Sequence, residues 1–104
     1  MADGELRDFV RHPACKKLHY RMSDNLWHVY IVRCNDGTLY TGTAKELEAR
    51  ILKHNRGVGA KYTRSRRPVR LVYSEIALGR GAALRRESEI KRLPLASKRR
   101  LFEE

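Results

Sequence analysis

A chain of 104 residues carrying a net charge of +11 has room for one domain with a modest core and not for two. With 41% hydrophobic and 34% charged residues it has a globular rather than a disordered composition, and no apolar run approaches the ~20 residues that would make it a membrane span. The positive excess points to a polyanionic partner, nucleic acid foremost, and it is uneven: nine Lys/Arg against seven Asp/Glu in residues 1–55, fourteen against five in residues 56–104.

In chain order, residues 1–25 read as an N-terminal extension, a flexible arm or a short helix, and residues 26–104 as the domain. Leu6, Phe9 and Val10 form one short stripe that His12-Pro13 would end. Met22-Ser-Asp-Asn resembles a natural protein start. The first ten residues lack the apolar segment of a secretory leader, so an intracellular setting is expected, with Cys15 and Cys34 as reduced thiols. The four histidines have no zinc-ligand spacing.

Trp27 to Cys34, rich in aromatic and β-branched residues, reads as a strand. Asn35-Asp36-Gly37 is a turn, and Thr38 to Gly42 is the return strand. Each strand carries one tyrosine, Tyr30 and Tyr40. A two-residue Asp36-Gly37 loop would put them on opposite faces. A three-residue loop with Gly37 left-handed pairs Cys34 with Thr38 and brings both to one face, and that loop is the one expected.

Thr43-Ala44-Lys45-Glu46 has the form of a capping box, predicting a helix from about Ala44 to Asn55 that Gly57 and Gly59 stop. At about 100° per residue, Arg50 and His54 fall one turn apart on the edge of the Leu47/Ile51 stripe. A glycine-rich, then basic loop follows from Gly57 to Pro68. Val69 to Ile76 reads as a third strand with Val69, Leu71 and Tyr73 alternating. A helix from about Ala82 to Arg92 ends at Pro94, and a short helix from Leu95 to Phe102 closes the chain. In the Ala82–Arg92 helix Glu87 falls inside the apolar arc. A carboxylate there is costly unless it meets a cation, either a side chain such as Arg50 or a bound metal ion.

Taken together, these residues resemble the GIY-YIG endonuclease superfamily. Val29-Tyr30-Ile31 and Leu39-Tyr40-Thr41-Gly42 match its two name motifs. Leu47 to Arg50 with His54-Asn55 match the helical Arg…His motif, Gly59 to Thr63 the loop motif, and Ala83 to Glu87 the glutamate motif. The similarity spans roughly residues 27–102, and its branch is the small single-domain proteins related to the N-terminal module of the excision-repair nuclease. His28 stands in place of the glycine of the name and Thr41 in place of the isoleucine; neither position carries the family's chemistry.

The resemblance implies an α+β fold, a three-stranded antiparallel sheet flanked by helices. It also implies a single divalent ion, Mg²⁺ or Mn²⁺, and hydrolysis of a DNA phosphodiester by an activated water. By motif match Glu87 is the metal ligand and Arg50 the phosphate clamp. Tyr30, Tyr40 and His54 activate and position the water, with Tyr30 the preferred general base and His54 or Tyr40 assisting. Tyr62 matches a fourth, variable polar position.

Elementary chemistry agrees with these roles. A hard cation needs only one or two carboxylates plus water. Arginine keeps its proton and grips phosphate bidentately. A phenol with an ordinary pKa of ~10 becomes a better base beside a metal ion and a guanidinium. Lys61, Arg64, Arg66 and Arg67 are expected to contact phosphates without reading sequence. The expected substrate is DNA distinguished by structure, branched or single-stranded, rather than by sequence. The alternatives are a non-catalytic nucleic-acid-binding module and a nuclease subunit that needs a partner, its own chain or another.

Overall fold

The computed structural model describes residues 25–103. The expectations for residues 1–24, the short stripe, Cys15 and Met22, lie outside that range. Three strands form one antiparallel sheet in the order β2-β1-β3: β1 is Leu26–Arg33, β2 Leu39–Ala44 and β3 Arg70–Leu78. Four helices accompany them: α1 Leu47–Arg56, α2 Lys61–Arg64, α3 Arg80–Arg92 and α4 Leu95–Arg100. The α+β architecture is the one expected. No helix among the described residues is long and apolar enough to cross a membrane.

The central strand explains the run Val29-Tyr30-Ile31-Val32, all fully buried. A strand covered on both faces loses the polar half of its alternation. Tyr30 and Val32 face one core with Cys34, Ala44, Leu47, Val69 and Leu71, and α1 closes it with Leu47 and Ile51. Val29 and Ile31 face a second core with Val72, Ala83 and Ile90, closed by α3 and by Leu101 and Phe102 after α4. Cys34 is a buried free thiol.

The hairpin has the three-residue loop. The Cys34 amide donates to Thr38 O at 2.8 Å, the Gly37 amide to Cys34 O at 2.9 Å, and Gly37 sits at φ +86°. Val32 therefore pairs with Tyr40 and Tyr30 with Gly42, so both tyrosines lie on one face. Asp36 locks the turn by accepting from the Thr38 amide at 3.1 Å and its hydroxyl at 2.6 Å.

Three local expectations are corrected. The capping box does not form: Thr43 is paired with Val29 in the sheet, so α1 starts only at Leu47, with Glu46 as its N-cap and no side-chain cap. The Val69/Leu71/Tyr73 alternation breaks between Leu71 and Tyr73. Ile31 pairs with Tyr73 but Val32 with Leu71, so Val72 is a bulged extra residue. Leu71 joins the first core and Tyr73 the second. The basic loop contains the short helix α2, which carries the fully buried Thr63. The α1 terminus is as expected: Gly57, left-handed at φ +83°, donates to His54 O, and the Val58 amide reaches Lys53 O at 3.1 Å.

Candidate active site

The hairpin register and the α1 edge bring Tyr30 and His54 together, although 24 residues separate them. Tyr30 Oη lies 2.8 Å from His54 Nε2, and both side chains are fully buried. The other ring nitrogen, Nδ1, lies 2.8 Å from Thr63 Oγ1, whose hydroxyl reaches Ala60 O at 3.0 Å. Tyr40 packs edge-on against the His54 ring at 5.5 Å between centroids. Tyr62 stacks on Tyr40 at 5.8 Å, and the Arg66 guanidinium covers the Tyr62 ring at 4.0 Å.

Two glycines make room for this packing. A Cβ at Gly42 would sit 2.6 Å from Tyr30 Oη, and one at Gly59 would sit 2.6 Å from His54 Nδ1 and 3.0 Å from its Cα. The second name motif ends in glycine because the phenol of the first motif lies across it.

The electrostatics are set mainly by burial. Tyr30 is pushed up to about 12, first by desolvation, with the neighbouring Tyr40 and the Glu87 carboxylate adding to it; Arg50 opposes them as a charged donor to the phenol. Without a bound cation, then, desolvation outweighs Arg50; the easier phenolate is expected beside a metal ion as well as the guanidinium. His54 is held below the usual histidine range by burial first and by Arg50 second, so its ring is neutral near pH 7.

Arg50 itself is exposed on the α1 edge. The Glu87 side chain is only 15% exposed and pairs with Lys91 one turn on, at 2.7 Å, rather than with Arg50. The Lys91 ammonium also lies 5.9 Å from the centre of the Tyr40 ring. Tyr30, Tyr40, Arg50, His54 and Glu87 thus form one constellation.

The basic residues after α1 divide into two kinds. Lys61 and Arg64 are exposed on α2. Arg66 is tied to Asp36 at 3.1 Å and to Tyr62 O at 2.8 Å, which fastens the basic segment to the hairpin turn. Arg67 donates to Arg64 O at 2.8 Å. Arg64 and Arg67, with Asn55, Ser65 and Pro68, line an open cavity of about 480 Å³ beside the end of α1. Sequence reasoning did not single out Thr63 or Lys91. Lys91 had a usable signal, its i,i+4 spacing from Glu87. Thr63 closes the loop motif, but no helical period ties it to His54, because a helix break separates them.

The α+β domain thus gathers two phenols, an arginine, a buried histidine and a largely buried carboxylate around one sheet face. Residues 26–100 match the family model of the GIY-YIG catalytic domain, and the chain belongs to that nuclease-type family. Within it the relatives are small single-domain proteins. A UPF0213 protein of Staphylococcus aureus strain Mu3 is 58% identical over 76 residues, covering 73% of this chain and 93% of its own. The UPF0213 protein SERP0126 of Staphylococcus epidermidis is 55% identical over the same share of each chain. Among solved structures, the solution NMR structure of the E. faecalis protein EF2693 superposes with a TM-score of 0.52 at 38% identity, covering 72% of this chain and 80% of that one.

Proposed function

We propose that this chain is a metal-dependent endonuclease that hydrolyses phosphodiester bonds in DNA, selecting its substrate by structure rather than by sequence. The observation that carries the reading is the buried Tyr30–His54 pair, 2.8 Å between Oη and Nε2, with Arg50 acting on the same phenol and Glu87 close enough to perturb it. A neutral imidazole beside a phenol can take the phenolic proton as the phenol oxygen takes one from water, so neither group alone has to be a strong base. Arg50, exposed and permanently charged, suits the scissile phosphate.

The donor set fits a hard divalent ion. Among the described residues no three His, Cys, Asp or Glu side chains cluster as a metal cage. One half-buried carboxylate at the site is what Mg²⁺ or Mn²⁺ needs when it keeps most of its water. Glu87 would hold that ion once Lys91 moves off its carboxylate. Bound there, the ion would neutralise charge on the phosphoryl oxygens and the leaving oxygen. Lys61 and Arg64 would guide the flanking backbone, and the partly exposed Tyr62 ring would meet the substrate beside Tyr40. One contact favours a non-catalytic binding module instead: the Lys91 ammonium already satisfies Glu87.

The deciding experiment incubates flap, fork, nicked and single-stranded DNA with the protein and Mg²⁺ or Mn²⁺. Cleavage that chelation stops and that Glu87→Ala and Tyr30→Phe abolish is the expected result. Binding without cleavage in every arm would establish the binding module, unless an added partner restores turnover. Equal cleavage by wild type and both variants would disprove the assigned site.

A further inference from the structure

The hydrogen-bond chain beneath Tyr30 has a direction. Thr63 Oγ1 carries a single proton and has Ala60 O at 3.0 Å and His54 Nδ1 at 2.8 Å. A carbonyl can only accept, so the hydroxyl proton goes to Ala60 O, and Oγ1 is left to accept from Nδ1–H. The far end of the chain agrees. Arg50, the charged neighbour of the phenol, can only donate and so offers its proton no acceptor, whereas Nε2 lies 2.8 Å away. The opposite tautomer, with the proton on Nε2, would make the phenol oxygen the acceptor and leave the phenolic proton to find another partner. The Ala60 amide also approaches Nδ1, but at 3.5 Å, the outer limit of a hydrogen bond.

We infer that Thr63 is a positioning residue: by accepting from Nδ1–H it holds His54 in the tautomer whose bare Nε2 faces the Tyr30 hydroxyl. This inference rests on the reading of Tyr30 and His54 as reacting groups only for its consequence in cleavage, since the tautomer is a property of the free protein. Free imidazoles favour the Nε2–H form, so the protein must impose the other one. Thr63 is suited to this. It is fully buried, so water does not compete for Nδ1, and α2 pins it three residues after Ala60. The lack of a Cβ at Gly59 lets this segment lie directly against the ring.

The test is ¹⁵N NMR of the His54 ring near neutral pH in the full chain, without metal or DNA. The wild type should show protonated Nδ1 and bare Nε2, and Thr63→Ser should show the same. Thr63→Val, which keeps the shape and removes the oxygen, should shift the ring to Nε2–H. In parallel, Thr63→Val should slow cleavage on the order of 10²-fold with DNA binding unchanged, and Thr63→Ser should restore it. Protonated Nε2 in the wild type, or protonated Nδ1 persisting in Thr63→Val, would overturn the inference. Should Thr63→Val not fold, Thr63→Ala is the second oxygen-free variant, and the same shift to Nε2–H is expected of it. Absence of cleavage in the wild type alongside the expected tautomers would count against the nuclease reading and leave the role of Thr63 standing.

Discussion

Gly42 and Tyr30 are paired across the β1–β2 ladder, and the phenol of one lies where the side chain of the other would be. A Cβ at Gly42 falls 2.6 Å from Oη and 2.8 Å from Cζ of Tyr30. Neither atom can yield freely, because Oη is held by His54 and the ring is fully buried. Gly42→Ala should therefore destabilise the domain by about 1–3 kcal/mol and cut cleavage more than it cuts stability. Gly37→Ala is the contrasting variant. Nothing lies within 4 Å of its Cβ, but φ is +86°, so it should cost about 1–2 kcal/mol of stability and leave cleavage intact. Denaturant titration and cleavage assays on both variants test this.

The second prediction concerns alkaline stability. Burial pushes Tyr30 up to about 12, against about 10 in the unfolded chain. Between those values the folded state holds the phenolic proton more tightly than the unfolded state. The associated stability is thus complete below pH ~10 and is lost as pH rises toward about 12. Two units correspond to about 2–3 kcal/mol. Unfolding free energies measured across this range should fall more steeply for wild type than for Tyr30→Phe. Equal slopes would show that this phenol is not the perturbed group.

The basic segment yields a third prediction, because its residues are engaged differently. Lys61 and Arg64 are exposed. Replacing either with alanine should lower the slope of log binding constant against log salt by about one, with little change in melting temperature. Arg66 holds Asp36 and caps the Tyr62 ring. Arg66→Ala should lower the melting temperature by about 4–8 °C, as expected for a loss near 1 kcal/mol in a domain of this size. Thermal melts and salt-dependent DNA binding separate the two behaviours. A large salt-slope change with no thermal change for Arg66→Ala would contradict its structural role.

What could be read in the sequence was whatever local chemistry fixes. Asn35-Asp36-Gly37 dictates its own loop, and the loop dictates that Tyr30 and Tyr40 share a face. Helical spacing was enough to put Arg50 beside His54 and to mark Glu87 as out of place. What escaped were outcomes decided by tertiary competition. Thr43 is a good helix cap, but the strand claims it first. Val72 looks like any strand residue, and only the pairing with β1 makes it a bulge. Thr63 meets His54 across a helix break, where no period connects them.

The central claim is that the Tyr30 oxygen takes part in the chemistry while contributing little to DNA affinity. Single-turnover cleavage of one branched DNA substrate with saturating Mg²⁺, measured for wild type and Tyr30→Phe with binding measured in parallel, tests it most directly. The account predicts a loss of at least ~10²-fold in the cleavage rate with binding unchanged. Cleavage by Tyr30→Phe at the wild-type rate would contradict it.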